Sequence, residues 1–212
     1  MIQDYLLKLI LSIPGILLGF AFHEYAHAKV ADKLGDKTPR FEGRLTLNPL
    51  AHIDIIGFIM IVLFGFGWAK PVTVNKRAFK NYYKDDLKVS AAGPLANLVL
   101  AFILTIVLAL FQKYVLFMLG TQLALIIYSI IYKGIYINIG LCIFNLLPLP
   151  GLDGLSILQD YSPKTYYKYA NQLYRYEMPI LLIAIAIGGR ILYYPTTAIG
   201  NLFSILVFSV IR

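Results

Sequence analysis

Between Val89 and Gln112 the chain runs 24 residues without one Asp, Glu, Lys, Arg or His. As a helix this stretch is about 36 Å long, enough to cross the roughly 30 Å hydrocarbon core of a bilayer. It has no stable place on the surface of a soluble domain. Further apolar runs fall at about 5–30, 54–68, 115–131, 135–147, 177–190 and 196–211. The 212 residues are 59% hydrophobic and only 14% charged, with mean hydropathy +0.71. An ordinary globular protein carries about 25% charge, so this chain has too few charges to cover a water-facing surface. The expected fold is all-α, a polytopic membrane helix bundle of about 5–6 transmembrane helices with a short membrane-dipping segment. It forms a single integral-membrane domain over residues 1–212.

The basic residues set an expected topology. The segment 29–50 holds Lys29, Lys33, Lys37, Arg40 and Arg44, and 69–88 holds Lys70, Lys76, Arg77, Lys80, Lys84 and Lys88. Positive loops stay in the cytoplasm. The run between them, 54–68, is short for a span and is loosened by Gly57, Gly65 and Gly67. If it dips into the bilayer and returns, both basic loops remain inside. With Lys164, Lys168, Arg175 and Arg212, fifteen of the nineteen Lys and Arg residues are then cytoplasmic. The net charge of +8 is accounted for by such loops facing anionic lipid, and nucleic acid is not expected as a partner. The first run lacks a basic leader and a small-residue cleavage site, so it is expected to be a retained spanning helix. Cys142 is the sole cysteine, which excludes an intramolecular disulfide. Two readings of 115–147 stay open, one broken helix or a hairpin. Lys133 within it needs either a wet cavity or a bend at Gly134.

The chemistry lies in GFAFHEYAHAKV, residues 19–30. His23 and His27 are four apart and share one helix face, so both imidazoles can reach one metal ion. Glu24 is rotated about 100° from His23. It can hold a water and take its proton without ligating the metal. With three His and three Glu in the chain, chance yields this H-E-x-x-H pattern on the order of once in a thousand. Two ordinary histidines at a helix end are the plain alternative. A catalytic zinc needs a third protein ligand. Asp153, in FNLLPLPGLDGLSIL, is one candidate, and as a turn former or helix cap it has a simpler explanation. His52, in LNPLAHIDIIG, is the other, with Asp54 in reach as a structural partner.

FHEYAHA, SAAGPLANL and NLLPLPGLDG, in that order and setting, resemble the site-2 protease family of intramembrane zinc metalloproteases over about residues 15–160. GRLTLNPLAHIDIIG followed by GWAKPVTVN is similar to the compact bacterial branch without a PDZ or CBS domain, for which no residues are left here. The resemblance implies that His23, His27 and Asp153 bind Zn2+ and that Glu24 is general base and proton shuttle. It implies that Asn145 binds substrate backbone or the oxyanion; an Asn capping its own helix end is the plain alternative. His52 remains a candidate active-site residue. Gly93, Pro94 and Asn97 match the family's G-P-x-x-N and are read as packing residues, with Pro94 near a helix start. Pro148 and Pro150 prevent regular helix before Asp153 and let it turn back toward the histidines.

The implied function is an intramembrane zinc metalloprotease that hydrolyses peptide bonds within or near transmembrane segments of membrane-anchored substrates. Anti-sigma factors and remnant signal peptides are the substrates the resemblance suggests. The implied location is the cell membrane, multi-pass, bacterial and inner, with the active site toward the cytoplasm. The alternative is a membrane zinc transporter or metal-binding channel, though transport has no need of a Glu between the histidines.

Overall fold

The computed structural model describes residues 2–64 and 67–211. Gly65 and Arg212, used in the topology above, lie outside the described residues. The chain forms α1 (Ile2–Ile10), α2 (Ile13–Leu34), α3 (Thr38–Phe41), α4 (Ile55–Phe64) and α5 (Tyr82–Leu110). After these come α6 (Thr121–Asn145), α7 (Asp153–Tyr161), α8 (Pro163–Arg175), α9 (Glu177–Ile191) and α10 (Tyr193–Ile211). Among the described residues the only β pairing is one antiparallel bridge, Ile53 with Ala69. The helical bundle read from the sequence is the observed architecture. Among the described residues four stretches are long and apolar enough to cross a membrane: Gln3–Leu34, Tyr82–Met118, Thr121–Asn145 and Tyr193–Ile211. At 15 residues, α9 is shorter than the usual span of about 17–25.

The centre of the bundle is α5 against α6, with α2 on one flank and α10 on the other. Ala101 and Leu108 of α5 meet Ile135 and Ile139 of α6, and Ile199 and Phe203 of α10 close over them. Large apolar side chains such as Val99, Ile103 and Ile205 point outward and stay exposed, as they do in a protein whose solvent is lipid.

Three features differ from the sequence reading. First, α5 starts at Tyr82, inside the stretch read as polar. The Asp85 carboxylate accepts the Asn81 N–H at 3.0 Å while the Asp85 N–H bonds the Asn81 carbonyl at 2.8 Å. This reciprocal closure starts the helix where hydropathy shows nothing. Pro94 is consequently well inside α5, not near its start. Second, α6 is one helix, with no bend at Gly134. That glycine is a helix crossing: a Cβ on Gly15 of α2 would stand 2.7 Å from the Gly134 Cα. Small residues let two backbones approach in this way. Third, Lys133 is half-buried, its Nζ 3.5 Å from the Ser12 hydroxyl at the α1–α2 junction.

The segment 53–69 returns to where it starts. Besides the Ile53–Ala69 bridge, the Lys70 N–H bonds the His52 carbonyl at 2.8 Å. A segment with its two ends paired does not cross a bilayer. Beyond it, residues 69–75 run extended as a strap. The strap is pinned by the Asp36 carboxylate, which accepts the Asn75 N–H at 2.7 Å and the Thr38 N–H at 2.9 Å. Val74 and Phe79 pack on Ala31 and Val89, joining the strap to α2 and α5.

The Gly15–Gly134 crossing generates a test. Gly15→Val is expected to lower the apparent unfolding midpoint in detergent by roughly 5 °C, the effect of about 2 kcal/mol of overpacking on a chain of this size. Gly140→Ala, where a Cβ meets nothing within 4 Å, is expected to leave it unchanged or raise it. Equal midpoints for the two variants would show that the crossing is not tight.

Candidate metal centre

His23 and His27 lie on the face of α2 that packs against α5, and both are buried. Each ring is anchored through Nδ1. The His27 Nδ1–H donates to the Val89 carbonyl at 2.7 Å, an atom that can only accept. His23 Nδ1 lies 2.7 Å from Asn97 Oδ1. The Asn97 amide is oriented by its own partners, since Nδ2 donates to the Gly19 carbonyl at 3.0 Å and to Asn138 Oδ1 at 2.9 Å. Asn138 Nδ2 in turn donates to the carbonyls of Gly15 and Gly134 at 3.2 and 2.8 Å. Oδ1 of Asn97 is therefore an acceptor, and His23 must carry its proton on Nδ1. In the neutral rings both Nε2 atoms are then bare lone pairs.

These two Nε2 atoms are 3.0 Å apart. Gly93 makes the space, because a Cβ there would stand 2.3 Å from His27 Nε2 and 2.7 Å from His23 Nε2.

The third group arrives from the far end of the chain. α6 stops at Asn145, and the Pro148–Pro150 stretch turns through tight bonds such as Leu149 N–H to the Leu147 carbonyl at 2.8 Å. Gly151 takes φ +80°, and Gly154 lets the carbonyls of Leu146 and Leu147 fold against the start of α7. Asp153 is thereby the first residue of α7, where the positive end of the helix favours a carboxylate. Its oxygens stand 3.2 Å from His23 Nε2 and 3.4 Å from His27 Nε2. Burial alone raises the Asp153 pKa, and a proton on the facing nitrogen of His23 or His27 would hold it below the usual carboxylate range.

Three acceptors thus converge, all within 4.8 Å of one another, and Asp153 Oδ2 accepts no ordinary hydrogen bond among the described residues. A proton can join one pair of them; a divalent cation joins all three. Ligand atoms at about 2.1 Å from a tetrahedral zinc stand about 3.4 Å apart, close to the separations found. Two imidazoles and one carboxylate are also a donor set that zinc accepts.

Glu24 is buried beside them, its Oε2 accepting the Val72 N–H of the strap at 2.8 Å. Glu24, the two histidines, Asp153 and Asn145 all line one cleft of about 670 Å³. Asn145 stands at its edge, with Nδ2 donating to the Leu141 carbonyl at 3.0 Å; one N–H of the amide is engaged there. His52 is set apart. It is fully buried in the loop before α4, its Nε2–H donates to the Thr46 carbonyl at 2.8 Å, and it does not line the cleft. Arg44 caps the neighbouring Ala51 carbonyl, so this histidine belongs to a local knot.

Sequence reasoning missed the orienting groups. Asn97, read as packing, touches His23, and Asn138 was not singled out at all. The available signal was the cost of an amide inside an apolar helix. Gly93 is a packing residue in the sense expected, but what it packs against is the pair of imidazoles.

The Gly93 contact predicts that Gly93→Ala lowers affinity for Co2+ or Zn2+ by about tenfold or more, with helical content unchanged in circular dichroism. Unaltered affinity would mean that the rings are free to move aside.

A family model for Peptidase family M50 matches residues 11–187. The Bacillus subtilis protein named "Putative zinc metalloprotease YwhC" is 46% identical over 149 residues, 70% of this chain and 67% of its own. The similarly named MJ0611 protein of Methanocaldococcus jannaschii is 34% identical over 156 residues, 73% of this chain and 72% of its own. The similarly named Rip2 protein of Mycolicibacterium smegmatis is 31% identical over 172 residues, 76% of this chain and 61% of its own. No solved structure matches the chain. The matched span runs from the start of α2 into α9 and takes in both histidines, Glu24 and Asp153, and on that match the chain belongs to peptidase family M50.

Proposed function

We propose that this protein is a site-2-type zinc metalloendopeptidase that hydrolyses peptide bonds within or next to the spanning segments of membrane-anchored proteins. The observation that carries the reading is the convergence of His23, His27 and Asp153 beside a buried Glu24, in a cleft that adjoins a second, apolar space. That space, about 1040 Å³, lies between α2, α6, α9 and α10 and shares Phe20, Leu141 and Phe144 with the cleft. An apolar segment seated there would lie next to the reactive groups.

His23 Nε2, His27 Nε2 and an oxygen of Asp153 would hold the zinc. When bound, zinc supplies Lewis acidity and brings the pKa of a water toward about 7. The chain's own groups do the rest. Glu24 takes a proton from the attacking water and later delivers it to the departing amine. The N–H of Asn145 not given to Leu141 is available to the carbonyl oxygen as it gains charge. Asn97 and the Val89 carbonyl keep each imidazole from turning while charge shifts across the site. A spanning helix hides its peptide bonds from all of these groups. Preferred substrates are therefore spans weakened by Gly, Pro or polar residues. Lys33 at the C-terminal end of α2, Lys37 just before α3 and Arg40 in α3 lie just beyond the histidines, and this supports an active site on the cytoplasmic side of the cell membrane.

In purified protein Glu24→Gln is expected to retain zinc and to lose cleavage of a helix-weakened span by about 10²–10⁴-fold. Zinc content and cleavage are measured on the same preparation. Equal cleavage by both proteins would remove Glu24 from the mechanism. Zinc uptake by liposomes carrying the wild type, with no span cut, would favour transport.

A further inference from the structure

Two buried carboxyl groups have no part in the reaction above. Asp86 on α5 and Asp160 on α7 face each other within hydrogen-bond reach. Lys76 pairs with Asp86 and is near enough to Asp160 to feel its charge. Among the described residues neither oxygen of Asp160 accepts a hydrogen bond. Two carboxylates against one ammonium leave a surplus negative charge in a buried place, which is costly. One proton shared between the carboxyls cancels the surplus and supplies the missing donor. Burial first, and then the facing Asp86, push Asp160 up to about 7.

The placement of this group matters because α7 also carries Asp153. Asp153 and Asp160 are seven residues apart, two helical turns, and so share one face about 10 Å apart. On α5, Asp86 and Gly93 are also seven apart, and Gly93 lies under the two imidazoles. The contacts pair Asp153 with the histidines over Gly93, and Asp160 with Asp86. α7 thus runs antiparallel along α5, and a nine-residue helix is pinned at both ends. Lys76 and Asp86 also form the far wall of the metal cleft.

We propose that Asp86, Asp160 and Lys76 form a proton-sharing clamp that positions Asp153 for the metal and releases α7 when the shared proton leaves. The proposal rests on the reading of His23, His27 and Asp153 as zinc ligands. Released into water, Asp160 would titrate near about 4, as carboxyls ordinarily do. The docked helix therefore holds the extra proton between about 4 and 7. Docking is favoured below this window; the advantage falls as pH rises across it and is gone above about 7. This opposes the histidines, which bind metal better as they lose protons. The other titratable groups facing the clamp are the phenols of Tyr82 and Tyr166, both felt by or feeling Lys76. The Tyr174 hydroxyl pushes Tyr166 up to about 12, away from neutrality.

The test is zinc affinity by chelator competition, on the full chain in detergent, from about pH 5 to about pH 9. Asp160→Asn keeps Lys76 balanced by Asp86 and has nothing to release; Asp86→Asn does the same with Asp160. The ratio of the wild-type Kd to that of either variant is expected to rise with pH, by up to about tenfold per unit, until about 7 and to level off above it. The double variant leaves Lys76 uncompensated and is expected to bind zinc more weakly at every pH. A flat ratio with tight zinc binding would overturn the clamp alone. No zinc binding by the wild type at any pH would overturn the metal centre, and the clamp with it.

Discussion

The hydrogen bond from His23 Nδ1 to Asn97 Oδ1, 2.7 Å long and fully buried, is the contact on which the site depends. It is the last link of a chain that begins at the carbonyls of Gly15 and Gly134, passes through Asn138 and Asn97, and ends at His23 Nδ1. Every link has its direction set, because the first acceptors are backbone carbonyls. The chain fixes the tautomer of an imidazole from two helices away. It also ties α2, α5 and α6 together where apolar packing alone does little, since lipid is as apolar as the helices it would separate from. Interhelical bonds of this kind contribute about 0.6–2 kcal/mol each. Deleting a member would leave the next one unsatisfied at a cost of about 1–3 kcal/mol, so bundle and site are not separable.

How much of this was legible follows from the range over which each constraint acts. The two histidines and Glu24 were legible because helical period alone puts them together. Asp153 was legible as a candidate because two prolines had to end α6 before it, but nothing in its spacing chose it over His52. That choice needed the tertiary fold, in which α7 lies along α5 while His52 is tied into a knot by Thr46 and its own neighbours. The start of α5 was hidden because hydropathy registers burial in lipid and not helix propensity, and Tyr82–Lys88 is helical without being apolar. The roles of Asn97, Asn138, Asp86 and Asp160 were hidden for one shared reason. Each acts through a partner on another helix, and a single sequence carries no record of which helices touch.

The dipping segment shows the same division. Basic residues on both flanks indicated that 54–68 goes in and comes back. What they did not indicate is that the strap beyond it crosses the cleft and gives the Val72 N–H to Glu24. A carboxylate that accepts a backbone N–H on one oxygen keeps the other for a water. In this way the strap orients Glu24 without occupying both of its oxygens.

α5 brings these elements to one place. Asp86, Ser90, Gly93 and Asn97 fall at i, i+4, i+7 and i+11, a single helical stripe, and all four are buried. The Val89 carbonyl beside them takes the His27 proton. Pro94, one residue on, has no N–H to give to the Ser90 carbonyl, so the ladder is open beside the metal ligands. In a helix built only to span a membrane, a glycine, a proline and an asparagine within five residues would be three separate penalties in propensity and solvation. Here each has an identifiable use: Gly93 admits the rings, Asn97 holds one of them, and Pro94 opens the backbone between them and the clamp. Local rules of helix construction are broken together where the chemistry is, and they are kept along the rest of α5, from Leu98 to Leu110, where its only task is to pack against α6 and α10 and face lipid.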